Sequence, residues 1–100
     1  MDDPIIIARS LLGRLNESSP ADVPAIADDL LLFLYRLKDE YIIVRSSSRF
    51  ITGTSFAVLH DLIYHLESSP DIAMRNPSTV DFIHTLLEDL TRGNILIRKQ

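Results

Sequence analysis

The sequence VDFIHTLLEDL, at residues 80–90, has the clearest helical pattern in the chain. Its apolar residues recur at steps of three and four, at Val80, Ile83, Leu86, Leu87 and Leu90. Successive residues of an α-helix are about 100° apart, so this spacing places these side chains on one side of a helix. Gly93 follows shortly afterwards. Because glycine readily adopts the left-handed conformation, we expect the helix to end there.

Three earlier segments have the same spacing and predict three further helices. Their apolar stripes begin at Ile5, Ile26 and Phe56. A side chain that can cap a helix precedes proline at Asp3-Pro4, Ser19-Pro20, Ser69-Pro70 and Asn76-Pro77. Such a pair favours a helix start, because the side-chain oxygen accepts a free N–H and proline has none to leave unbonded. We therefore predict that residues 1–100 form a single all-α domain, a compact bundle of four main helices with short connections.

The segment Tyr41–Gly53 also has features of a β-structure. Residues Tyr41–Val44 are aromatic or β-branched, which is typical of a strand. Phe50–Thr52 could pair with this strand as a hairpin, and Ile95–Ile97 could add a third strand. This interpretation gives an α+β fold with a small hairpin at 41–52.

The long-range spacing favours a helix for the same segment. Leu37, Tyr41 and Val44 continue the apolar stripe that begins at Ile26. Local residue preference and long-range phase therefore disagree here. We predict that the second helix continues to about Ser46, and we keep the hairpin as the alternative.

The composition indicates a folded intracellular protein. The hydrophobic share of 46% and the charged share of 24% are ordinary for a globular chain, which argues against disorder. The chain contains no cysteine, which excludes disulfides, thiolate metal sites and cysteine nucleophiles. Its longest apolar run, at 30–35, is far shorter than the roughly 20 residues that a membrane span needs. We therefore expect a cytoplasmic or nuclear protein with no membrane partner.

The side chains that could carry chemistry do not form a known catalytic or metal-binding motif. His60 and His65 are five residues apart, so a helix directs them about 140° away from each other. Asp61 with His65, and His84 with Glu88, have the four-residue spacing of ordinary helix-surface pairs. The three glycines form no phosphate-binding loop. We therefore predict no enzymatic activity, no metal, no cofactor and no small-molecule ligand.

The second predicted helix has more apolar residues than one buried stripe requires, since 30–34 is apolar almost all the way round. Such a helix is either central to the core or covered by a partner. We therefore predict a non-enzymatic protein–protein interaction module (an adaptor, an assembly subunit or a small inhibitor). It would bind another protein, or itself as a homodimer, through an apolar helix face. The candidate partner-binding residues are Leu31, Leu32, Tyr35, Arg36, Ile42, Arg45 and Arg49.

The alternative function is a nucleic-acid-binding regulator of helix-turn-helix or winged-helix type. It requires Arg45 and Arg49 to share a surface with the basic residues near the C-terminus. The net charge of −4 argues against it, because proteins that bind phosphates usually have a basic surface. The basic residues also lack the interleaved aromatic side chains of a base-stacking surface.

Overall fold

Three helices begin where the sequence places a capping residue before proline, and the fourth such pair begins a 3-10 turn that leads into another helix. We describe residues 3–100 of a computed structural model. Asp3 accepts a hydrogen bond from the Ile5 N–H at 2.8 Å and begins the first helix. Ser19 precedes a 3-10 turn, Pro20–Asp22, that leads into the second helix. The helices are α1 Pro4–Glu17, α2 Val23–Glu40, α3 His60–Ser68, α4 Pro70–Arg75 and α5 Pro77–Arg92.

The predicted helical architecture is confirmed, with four long helices and the short α4. Gly93 ends α5 with a φ of 78°, as the sequence predicts. Two strands, β1 Tyr41–Ser46 and β2 Ile95–Lys99, add a small antiparallel sheet to the helices. Helix α1 packs against α5 and α2, and the core draws side chains from the five helices and both strands.

The prediction that the second helix continues to about Ser46 is wrong, because α2 ends at Glu40 and β1 begins at the next residue. In the strand, alternate side chains point to opposite faces, so Tyr41 and Ile43 are both buried in the core. Val44, which the helical stripe would bury, is 58% exposed. The β-branched residues of this segment also keep more side-chain freedom in a strand than in a helix. Local preference and strand pairing therefore outweigh the continued helical phase.

The partner of β1 also differs from that in the alternative hairpin at 41–52, although Ile95–Ile97, the possible third strand, does lie in a strand. Phe50–Thr52 is not a strand, and β1 pairs instead with β2 near the C-terminus. Ile43 lies opposite Ile97, and a bulge at Val44 then places Arg45 opposite Leu96. The Ile43 N–H donates to the Thr54 carbonyl at 2.8 Å, so the 50–54 segment covers the other edge of β1.

Replacement of Asn76 by alanine is expected to lower the free energy of unfolding by about 1 kcal/mol. The Asn76 Oδ1 accepts hydrogen bonds from the N–H groups of Ser78 (2.9 Å) and Thr79 (3.4 Å), which begin α5. Urea denaturation measures the change. Ser78→Ala is the control and should change stability by less than about 0.5 kcal/mol, because Ser78 is exposed. Equal effects of the two substitutions would contradict the capping role.

Candidate partner-binding site

An open groove of about 600 Å³ lies between α1 and α2. We call it the α1–α2 groove. Its lining is mainly apolar in the middle and charged toward the ends of the groove. The lining residues are Ile6, Ile7, Ser10, Leu11, Arg14, Asp29, Leu32, Phe33 and Arg36.

The apolar surplus of α2 separates into a buried side and an exposed side. Leu30 and Leu34 are fully buried in the core, whereas Leu32 is 66% exposed in the groove. Leu32 is two residues from each of them, about 200° round the helix, so it points away from the core. Ile6 of α1 is 60% exposed and lines the same groove. Two large aliphatic side chains are therefore presented to solvent together.

Charged residues flank Leu32 along α2. Asp29 precedes it by one turn, and the Asp29 Oδ2 accepts a hydrogen bond from the Arg14 Nη1 at 2.6 Å. Arg36 follows it by one turn, and its Nε lies 3.7 Å from the Glu40 Oε2. The groove thus has an acidic residue of α2 on one side of Leu32 and a basic one on the other.

The structure brings only Leu32 and Arg36 of the predicted site residues into the groove. Leu31 is half-buried and packs against the core, so it is part of the helix–core contact. Tyr35 lies one turn beyond Leu32 and is 36% exposed, about half as much as Leu32. Ile6, which the sequence prediction omitted from the site, is 60% exposed, close to the 66% of Leu32.

Two other predicted residues, Ile42 and Arg45, lie on the outer face of the sheet. Ile42 is opposite Arg98 and Arg45 is opposite Leu96, so the four side chains share that face. Val44 and Leu96 are exposed there. We call this surface the outer sheet face, and its residues are Ile42, Val44, Arg45, Leu96 and Arg98.

Arg49, the last predicted site residue, is engaged elsewhere. Its Nη2 lies 3.4 Å from the Asp81 Oδ2, and its guanidinium lies 4.7 Å from the centre of the Phe50 ring. The Phe50 ring in turn lies 5.2 Å from that of Phe82. Arg49 therefore joins the loop after β1 to α5. Of the basic cluster required by the nucleic-acid alternative, the structure places Arg45 and Arg98 on one face.

The histidines lie outside both surfaces. His60 and His65 are exposed on α3, and the His65 ring has an edge-on contact with Tyr64 at 5.7 Å. Within residues 3–100, no three potential metal ligands come together. None of the helices in this range has both the length and the apolar character needed to cross a membrane.

Comparisons with models of protein families, with curated proteins and with solved structures gave no match to this chain. The α1–α2 groove and the outer sheet face differ in the side chains that they present. The α1–α2 groove combines two exposed aliphatic residues with an acid and a base on α2. The outer sheet face combines exposed apolar residues with two arginines.

Proposed function

We propose that this chain is a protein–protein interaction module that binds a second copy of itself through the α1–α2 groove. The observation that carries the proposal is the 66% exposure of Leu32 beside the exposed Ile6. Exposed large apolar groups that adjoin one another often mark an interaction site. Such a dimer would serve as an adaptor, an assembly subunit or a small inhibitor, and its function includes no catalytic step.

The charge pattern of α2 supports a second copy as the occupant. Asp29 and Arg36 lie three and four residues from Leu32, in opposite directions. If two α2 helices pack antiparallel about a two-fold axis near Leu32, Asp29 of each copy faces Arg36 of the other. The same attraction then occurs twice. Because Arg14 bonds the Oδ2 of Asp29, approach of an arginine to Oδ1 leaves that pair intact.

Leu32→Glu is expected to weaken dimerisation by at least about 100-fold, because two carboxylates would be buried near the axis without partners. Sedimentation equilibrium of the purified chain measures the effect. Ile72→Glu is the matched control, because Ile72 is an equally exposed aliphatic residue on α4 outside the groove. It should leave dimerisation unchanged. Wild-type protein that stays monomeric at its highest soluble concentration would contradict the proposal.

A charge exchange tests the two-fold arrangement directly. Asp29→Lys and Arg36→Glu should each weaken the dimer, because each places like charges opposite each other. The double variant should recover most of the wild-type affinity, since the introduced lysine of each copy then faces the introduced glutamate of the other. If the double variant loses the sum of the two single losses, the antiparallel α2 contact is wrong.

A further inference from the structure

The two edges of the small sheet differ in how their backbone groups are satisfied. The outer edge of β1 is covered, because the Ile43 N–H donates to the Thr54 carbonyl at 2.8 Å. On the outer edge of β2, at Ile97, no such cover is seen. Within residues 3–100, no backbone hydrogen bond outside the β1–β2 ladder involves the Ile97 N–H.

The phase of the ladder shows that this N–H points outward. The Gln100 N–H donates to the Glu40 carbonyl at 2.8 Å, so Gln100, just after β2, is in a hydrogen-bonded pair. Ile97 comes three residues before Gln100, an odd number of steps along the strand. In an antiparallel pair, opposed residues alternate between hydrogen-bonded and non-hydrogen-bonded pairs. Ile97, opposite Ile43, is therefore in a non-hydrogen-bonded pair, which agrees with the bond from Ile43 to Thr54 on the far side. The N–H and carbonyl of Ile97 both face the open edge.

The side chains beside this edge are apolar and cationic. Leu96 and Arg98 lie on the outer sheet face, where Arg45 is a close neighbour. Within the described part of the chain, neither arginine has a carboxylate at ion-pair distance. Among residues 3–100, these two arginines therefore have no acidic partner, although the net charge of the chain is −4.

We propose that the open edge of β2 binds an extended acidic segment of another protein, which adds to the sheet as a third strand. Its backbone would bond the N–H and carbonyl of Ile97, as in other cases of strand addition. Acidic side chains of the segment would lie on the outer sheet face beside Arg98, and its apolar side chains would lie on the opposite face, beside Ile97. This site is separate from the α1–α2 groove and does not depend on the dimer.

Charge and shape favour this occupant over the others. A second β2 strand lacks acidic residues, since β2 reads ILIRK. A nucleic acid gains little from the apolar Ile42, Val44 and Leu96 on the outer sheet face. An acidic segment complements both the arginines and the unpaired edge, because strand addition supplies the missing backbone bonds.

The test uses a fluorescent peptide of about six residues, the usual length of a strand, that alternates valine with glutamate. Fluorescence anisotropy with the full chain measures its binding, and a valine–lysine peptide is the control. We expect binding of the glutamate peptide alone. Amide exchange by NMR should slow at Ile97 when the glutamate peptide is bound.

Ile97→Pro removes the outward N–H and leaves the ladder bonds from neighbouring residues in place. It should weaken peptide binding by at least about tenfold, while Ile97→Val keeps the N–H and should leave binding unchanged. Arg98→Glu should have a similar effect to Ile97→Pro through charge. Circular dichroism would show whether Ile97→Pro disrupts folding. If it does, the binding test rests on Arg98→Glu and on amide exchange at Ile97 in the wild-type chain. Because Arg98 is exposed, its substitution should leave the fold intact.

Several results would overturn the proposal. Equal binding of the lysine peptide would show that the site does not select acidic side chains. Undiminished binding by Ile97→Pro would show that the peptide does not bond the Ile97 N–H. Self-association that Ile97→Pro abolishes would identify a second copy as the occupant. Binding of mixed-sequence duplex DNA that falls steeply with salt would identify nucleic acid instead. Leu32→Glu should leave peptide binding unchanged, so a failure at β2 is distinct from a failure of the α1–α2 groove.

Discussion

Leu30→Ala is expected to lower the free energy of unfolding by about 3–5 kcal/mol, the range for truncation of a fully buried leucine. Leu30 is 0% exposed, and a cavity would remain in a core that cannot fully relax. The next two residues are matched comparisons, because they are leucines in the same helix. Leu31→Ala, at a half-buried position, should lower the free energy of unfolding by about 1–2 kcal/mol. Leu32→Ala, at an exposed position, should lower it by less than about 0.5 kcal/mol. Urea denaturation of the three alanine variants measures this gradient.

The gradient separates the two explanations for an apolar helix: burial in the core and binding of a partner. The measurements belong at a concentration where the chain is monomeric, because dimerisation would add to the apparent stability. If Leu32→Ala cost as much as Leu30→Ala, Leu32 would belong to the core and the groove would not be a free surface. If Leu30→Ala cost little, the assigned packing of α2 would be wrong.

The sequence was sufficient to predict the helical architecture because each helix carries its own local signals. The stripe that includes Ile83 and Leu87 is buried in α5, as its spacing predicts. Asp3 and Asn76 cap the helices that follow them. Spacing and caps depend only on residues within a few positions of one another, so one sequence contains all the information that they require.

The end of α2 could not be predicted because the deciding contacts are not local. Tyr41 fits the helical stripe and is also buried in the strand, so its apolar character does not distinguish the two structures. The strand forms because β2, more than 50 residues later, provides the hydrogen-bonding partner. The sequence contains Ile95–Ile97 as a possible strand, but it does not state which segment pairs with it.

The candidate site was predictable only in part for the same reason. The excess of apolar residues on α2 left burial in the core and exposure to a partner as alternatives. Leu31 packs against the core and Leu32 lies in the open α1–α2 groove, a difference that depends on how α2 is placed against the rest of the fold. The position of Arg45 beside Leu96 depends on the sheet register and on the bulge at Val44. Neither feature has a signal within a short window of sequence.

A disulfide between the strands is expected to form in the double variant Arg45→Cys with Leu96→Cys. These residues are opposed in a hydrogen-bonded pair, whose Cα atoms are about 5.5 Å apart, within the range that a disulfide spans. Both side chains are exposed, so the core loses nothing. The chain has no cysteine of its own, so the oxidised product is unambiguous.

The oxidised variant should gain up to about 4 kcal/mol in free energy of unfolding over its reduced form, because the bond closes a loop of about 50 residues in the unfolded chain. Thiol titration and denaturation with and without reductant measure both quantities. Ser46→Cys with Leu96→Cys is the matched control. Ser46 is one residue further along β1 and lies opposite Ile95, so its side chain points to the other face from Leu96. Equal oxidation of the two pairs would contradict the register, while selective oxidation of the first pair would establish that β1 and β2 meet with the bulge at Val44.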